Sequence, residues 1–180
     1  MPEIGITSLV YISSSHAENI QLNYPDARVM DRYSKMTLAA AIRLYERIDG
    51  QSLDPNRWGI VLATGTGPLN SVKAFHHVLS LQGYVGINPS MFPNIMTVTA
   101  LARTTIALQA KGPSIPLWHA DHPIQAIRYA VLQLMKDVCD GMMVLYSDNE
   151  KRCWGLFIES EEAAAARGLT LRFPVDINEY

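Results

Sequence analysis

The sequence predicts an α/β fold, a mixed five-stranded sheet with helices on both faces. Short, continuous apolar segments alternate along the chain with longer segments whose apolar residues recur every three or four positions. This alternation is typical of parallel strands joined by helices. Two strand-like segments also follow each other closely around Asn149, which indicates an antiparallel hairpin at one edge of the sheet.

Each element has its own local signal. Strands are predicted at residues 4–12, 58–63, 114–118, 142–146 and 154–158, and residues 169–175 can form a last one. Helices are predicted at residues 35–49, 69–81, 94–110, from 124 onward and at 159–167. Ser34 and Gly50 offer the first helix an N-cap and a stop. The helix at 94–110 is apolar on nearly all sides, so we expect most of its surface to be buried in a core or an interface.

Composition limits the functional classes. The chain has 180 residues, is 48% apolar and carries a formal net charge of −2, which fits one domain over residues 1–180 and offers no basic surface to nucleic acid. No apolar run reaches the roughly 18 residues of a membrane span, and the start Met1-Pro2-Glu3 lacks the basic residues of a signal peptide. We therefore expect a cytoplasmic protein. Cys139 and Cys153 lack metal or redox spacing, which predicts packing residues.

Two motifs resemble parts of nucleotide-binding and metal-binding sites, but each lacks residues that such a site needs. The turn Gly65-Thr66-Gly67 follows a strand but has neither the third glycine nor the Gly-Lys-Ser/Thr of nucleotide-binding loops, which favours a tight turn. His76 and His77 are neighbours on a predicted helix, where adjacent side chains diverge by about 100 degrees and cannot share one metal ion. The sequence therefore predicts no cofactor and no metal at either place.

The segment from Trp118 to Pro123 joins the end of a predicted strand to the start of a helix. A carboxylate at such a junction stays ionised, because the helix dipole and free amides stabilise negative charge. Three interpretations of these residues stay open. Asp121 or His122 can cap the helix. His119, Asp121 and His122 can bind a metal with a fourth ligand from elsewhere, or Asp121 and His122 can form a hydrolytic pair, for which we find no nucleophile.

Five segments carry recognisable motifs, at residues 28–34, 58–67, 111–115, 139–145 and 155–168. Together they resemble, in order, the N-terminal half of the β-ketoacyl synthases, which have the thiolase fold. The most specific match is Lys111-Gly112-Pro113-Ser114-Ile115, the segment that leads into the nucleophile in that family. The resemblance covers almost the whole chain and implies a thiolase-like half.

The chain departs from the family at the nucleophile. Counted from Gly112-Pro113-Ser114 without a gap, the family's active-site cysteine falls on Asp121. A ketosynthase holds its acyl chain as a stable thioester, whereas a carboxylate is a poorer nucleophile with a labile anhydride product. The family's two catalytic histidines lie in a C-terminal half, and neither His119 nor His122 matches them. The family's long insertion between its fourth and fifth strands is reduced here to residues 147–152. The resemblance therefore implies no catalysis by this chain.

What the resemblance implies instead is a partner subunit. Type II polyketide systems pair a ketosynthase with a homologue that lacks the cysteine, the chain length factor, and truncated subunits of this sort occur in aryl polyene synthesis. The expected partners are a full-length β-ketoacyl synthase, in a heterodimer, and an acyl carrier protein that the chain meets directly or only through the ketosynthase. By this comparison the dimer strand contains Ile115, Pro116, Leu117, Trp118 and His119.

The same comparison assigns the acyl tunnel. Met91, Ile95 and Val98 stand at helical spacing where the family places gating residues, although the same three could be ordinary core. Two alternative functions stay open. One is a self-associating module that binds acyl groups or acyl carrier protein, and the other is a hydrolase that uses the Asp121 and His122 junction.

Overall fold

A computed structural model describes residues 3–13, 24–25, 27–118, 122–148 and 151–174. Its strands are β1 Ile4–Ser13, β2 Trp58–Thr64, β3 Ser114–Trp118, β4 Gly141–Asp148, β5 Arg152–Ser160 and β6 Phe173–Pro174. Its α-helices are α1 Arg32–Arg47, α2 Leu69–Gln82, α3 Thr97–Leu108, α4 Ile124–Met135 and α5 Glu161–Ala166. The strands form one sheet in the order β3-β2-β4-β5-β1-β6.

The sheet is mixed, as predicted. Strand β2 pairs in parallel with β3 and with β4, whereas β5 runs antiparallel to β4 and β1. The predicted position of the β4–β5 hairpin at an edge is wrong, because β1 pairs with the other side of β5 from Ile4 to Ser13. Of the predicted last strand, Phe173–Pro174 pairs with β1, and Val175 lies outside the described residues.

Helices cover both faces of the sheet, which confirms the predicted layers. All seven residues of β2 are buried, and their side chains alternate between two cores. On one face, Trp58, Ile60 and Leu62 pack with α1 and α3. On the other, Val61 and Ala63 pack with α4. The continuous apolar pattern of β2 therefore reflects burial on both sides, as expected of a central parallel strand.

The first helix begins earlier than predicted. Asp31, not Ser34, is its N-cap, and the Asp31 carboxylate accepts a hydrogen bond from the Ser34 backbone N–H at 3.2 Å. Ser34 itself is buried in the first turn of α1. Aspartate and serine are both favourable N-cap residues. The tertiary contacts of Asp31, described below, make Asp31 the N-cap.

Two other predicted helices are shorter in the structure. Helix α3 begins at Thr97, because Pro93–Ile95 forms a separate 3₁₀ turn and Met96 is extended. It ends at Leu108, and Gln109 then adopts the left-handed conformation (φ 55°). Helix α5 begins at Glu161 because β5 continues to Ser160, whose side chain accepts a hydrogen bond from the Ala163 N–H.

Both cysteines are buried and unpaired. Burial raises the pKa of Cys139 to about 11 and that of Cys153 to about 12. Both thiols therefore stay protonated at neutral pH and act as apolar packing groups. Among the described residues, no helix combines the length and the apolar character needed to cross a membrane.

Residues 69–96, here called the lobe, stand apart from the two cores. The lobe consists of α2 and three 3₁₀ turns, Tyr84–Gly86, Pro89–Met91 and Pro93–Ile95. No residue of α2 is buried, and the helix packs mainly against the first and last of these turns. The rings of Phe75 and Phe92 pack inside the lobe with centroids 5.3 Å apart. The lobe therefore needs specific contacts to hold it against the sheet.

A polar cluster, here called the clamp, provides those contacts. The buried Arg103 side chain on α3 donates to Asn94 Oδ1 at 2.9 Å and to Ser34 Oγ at 3.4 Å. Asn94 Nδ2 in turn donates to the Val29 carbonyl at 2.7 Å. Ser71 Oγ, in the first turn of α2, donates to Asp31 Oδ2 at 3.4 Å. Burial raises the pKa of Asp31, and hydrogen bonds from Ser34 and the charge of Arg103 partly oppose that rise. The clamp thus joins both ends of the lobe to α1 and α3.

Replacing Arg103 with methionine is expected to lower the free energy of unfolding by about 1–3 kcal/mol, because the half-buried Asn94 amide and the buried Ser34 hydroxyl lose their donor. Denaturant unfolding measures the change. The matched control is Arg43→Met, at an exposed arginine on α1, where we expect a change within about 0.5 kcal/mol. Equal losses in the two variants would contradict the role of the clamp.

Candidate partner-binding surface

Strand β3 forms one edge of the sheet. Within the described residues it pairs with β2 alone, so its other side presents backbone groups to solvent. Ile115 and Leu117 are half-buried against the core beneath α4. Pro116 is half-buried and the Trp118 side chain is 52% exposed. The described part of the predicted dimer strand is therefore an accessible, apolar edge, and His119 lies outside the described residues.

Two glycines fix β3 in its register. A Cβ atom on Gly59 would lie 1.9 Å from the Pro113 carbonyl oxygen, and one on Gly112 would lie 2.4 Å from the Trp58 carbonyl oxygen. The close approach allows Ile60 N–H to donate to the Pro113 carbonyl and Gly112 N–H to the Trp58 carbonyl, both at 3.0 Å. Only glycine fits at these two positions. The motif that leads into β3 is therefore a structural requirement of the edge strand.

Helix α3 adds an apolar stripe beside this edge. Val98, Ala102 and Ile106 recur at intervals of four residues on one face, and all three are exposed. Ile106 has 69% of its surface exposed and Val98 has 43%. The other nine residues of α3 are buried or half-buried, as expected for most of this helix, and Ala100 and Leu101 belong to the core. The exposed stripe therefore lies on a helix that packs against the edge strand β3.

The lobe continues the apolar surface. Its exposed large apolar side chains are Leu69, Leu81, Tyr84, Val85, Phe92 and Met96. Val85 has 99% of its surface exposed. A single exposed apolar residue needs no explanation, whereas a concentration of them is typical of surfaces that contact a protein partner, a membrane or a ligand. We call β3, the α3 stripe and the lobe together the docking surface.

The three predicted gating residues lie within the docking surface or at its border. Met91 and Ile95 are half-buried in successive 3₁₀ turns of the lobe, and Val98 is exposed in the first turn of α3. The predicted helical spacing is wrong, because the two turns and α3 are separate elements. The turn that contains Met91 contacts the turn that contains Ile95, and the latter contacts α3. The tunnel role of the three residues stays a prediction.

The junction after β3 is described only in part. His119, Ala120 and Asp121 lie outside the described residues, so the capping, metal-binding and hydrolytic interpretations of Asp121 remain predictions. His122 is exposed. Pro123 was expected in the first turn of α4, but it occupies the N-cap position instead. In the part of the chain that the structure describes, no group of three His, Cys, Asp or Glu side chains can hold a metal ion.

The remaining motifs have local structural roles. Gly67 has a left-handed φ of 58°, and its N–H donates to Thr64 Oγ1 at 2.8 Å, which confirms the predicted tight turn. His76 and His77 are exposed on α2. Sequence reasoning missed the clamp. The signal was Arg103 in a helix otherwise predicted to be buried, because a charged residue is rarely buried unless it is paired.

No protein-family model and no curated protein matches the chain. Solved structures do match. One is a type II polyketide acyl carrier protein in complex with its ketosynthase bound to the hexaketide (AntDE:AntF), with a TM-score of 0.80 and 16% identity over 94% of this chain. A second is the ishigamide ketosynthase/chain length factor, with a TM-score of 0.76 and 17% identity over 90% of this chain. This chain spans 65% and 63% of the length of those two chains.

A third match is the ketosynthase ApeO in complex with its chain length factor ApeC from Xenorhabdus doucetiae. Its TM-score is 0.62 at 14% identity, over 93% of this chain and 91% of the matched chain. Identities this low establish the fold alone. The predicted ketosynthase-like α/β fold is confirmed, and the chain shares it with chains of ketosynthase and chain length factor complexes.

Proposed function

We propose that the chain is a non-catalytic, chain-length-factor-like subunit that forms a heterodimer with an active β-ketoacyl synthase and shapes the end of its acyl tunnel. The open edge of β3 is the observation that carries the proposal. It presents backbone groups and the exposed Trp118 beside the α3 stripe, and a second chain can cover all of them together. The pathway that fits best is polyketide or fatty-acid-like synthesis of the aryl polyene type.

The fold comparisons support this proposal in two ways. The similar structures include a ketosynthase with a chain length factor, and a ketosynthase with an acyl carrier protein. In the ApeO–ApeC complex, the matched chain is covered over 91% of its own length, so a chain of comparable size belongs to that assembly. A partner ketosynthase would supply the thiolate and the histidines of condensation, and the acyl carrier protein would reach this chain directly or through that partner.

The first test is assembly. Co-expression with a ketosynthase encoded in the same gene neighbourhood is expected to give a stable complex with one copy of each chain, measured by native mass spectrometry. Trp118→Ala should weaken the complex about tenfold or more, because buried tryptophans dominate interface energies. Val138→Ala is the control, since Val138 is exposed at the opposite end of the parallel strands. A well-folded chain that stays monomeric beside the ketosynthase would contradict the proposal.

The second test is product length. Met91→Trp or Ile95→Trp is expected to shorten the polyketide made by the complex, because a larger side chain would fill the end of the tunnel. Mass spectrometry of the released product measures its length. The control Val138→Trp places the same bulk far from the lobe and should leave the product unchanged. If both lobe variants assemble and still give the full-length product, Met91 and Ile95 do not shape the tunnel.

The third test separates a partner subunit from a hydrolase. Asp121→Asn is expected to keep at least about half of the polyketide output of the complex, because asparagine caps a helix as well as aspartate does. A hydrolase that used this carboxylate would lose nearly all of its activity. Product formation by the complex and ester hydrolysis by the isolated chain are the two measurements. Loss of both in a folded variant would favour the hydrolase.

A further inference from the structure

The outer side of β3 has a gap in its row of backbone donors. Ile60 N–H donates to the Pro113 carbonyl, and Ile60 and Leu62 stand opposite Ser114 and Pro116 in the parallel register. Since the backbone groups of successive strand residues point to opposite sides, Ile115 and Leu117 face β2, while Ser114 and Pro116 face outward. Proline has no backbone N–H. At position 116 the strand therefore offers a carbonyl oxygen to a neighbouring strand but no N–H donor.

The missing N–H of Pro116 costs more hydrogen bonds when β3 pairs with a second copy of itself than when it pairs with a strand of a different chain. An antiparallel strand exchanges pairs of N–H···O bonds with the residues that face it. In a two-fold pairing of β3 with a second copy, Pro116 occurs once on each strand, so two donors are missing. If Pro116 lies on the two-fold axis, the two proline rings also face each other. With a different chain whose facing residue has an N–H, only one donor is missing, and the Pro116 carbonyl is paired.

We propose that Pro116 makes β3 selective for a strand of a different chain over a second copy of itself. The partner is a protein with an open antiparallel strand edge that carries a non-proline residue opposite Pro116. Prolines on edge strands discourage strand-to-strand association, and here the loss is greatest for self-association. The identification of that partner as a ketosynthase rests on the proposed function, whereas the bias against a second copy follows from β3 alone.

The test is the self-association of Pro116→Ala, measured by sedimentation velocity over a concentration series without any partner. The wild-type chain is expected to self-associate weakly, and the variant about tenfold or more tightly, because two donors are restored. Val138→Ala is the control, since Val138 is exposed at the opposite end of the parallel strands, outside the docking surface, and its self-association should equal that of the wild type. Pro116→Val, which suits a strand better, provides a second variant if the alanine variant folds poorly.

Each outcome decides one question. Equal self-association in the wild type and the folded Pro116 variants overturns the selectivity of Pro116, whether all dimerise tightly or none does. Binding of the same proteins to a ketosynthase is then measured separately. A heterodimer formed by wild type and Pro116 variants alike leaves the proposed function intact even if selectivity fails. Stronger self-association of the Pro116 variants without any ketosynthase complex supports the selectivity and contradicts the proposed partner.

Discussion

The contact between the start of β2 and the segment before β3 fixes the edge strand to which the proposed partner would bind. Gly59 and Gly112 let the two backbones approach so closely that a side chain at either position would collide with a carbonyl oxygen. That contact sets the parallel register of β3 against β2 and leaves β3 at the edge of the sheet. The position of Trp118, the outward direction of Pro116 and the neighbourhood of α3 all follow from this register.

The second requirement is a lobe held firmly beside that edge. No residue of α2 is buried, so the lobe gains little from the hydrophobic core and relies on the clamp. Asn94, in the last 3₁₀ turn of the lobe, bonds to Arg103 of α3 and to the Val29 carbonyl before α1. Ser71, in the first turn of α2, bonds to Asp31. These paired hydrogen bonds fix the position of the lobe against the sheet side of the molecule. The lobe thus exposes apolar side chains and is attached to the rest of the chain through polar contacts.

The sequence predicts the layers well because burial on both faces leaves a clear pattern, as in β2. It predicts less well where tertiary contacts decide. Asp31 and Ser34 are equally good caps in isolation, and the contacts of Asp31 with Ser71 and Arg103 favour Asp31. The apolar segment at 94–110 predicts burial, but the sequence does not say whether a core or a partner covers it. The residues of the exposed α3 stripe therefore could not be distinguished from core residues. Strand order was also hidden, since β1 and β5 are far apart in the chain.

Hydrogen exchange at the backbone amide of Ser114 tests the central claim most directly, because that amide points outward from the open edge of β3. Exchange is followed in the chain alone and in the presence of a ketosynthase, with the amide of Ile115, which faces β2, as the internal reference. The account predicts that Ser114 exchanges quickly in the free chain and becomes protected in the complex, while Ile115 changes little. A complex that forms while Ser114 continues to exchange freely would show that the partner binds elsewhere.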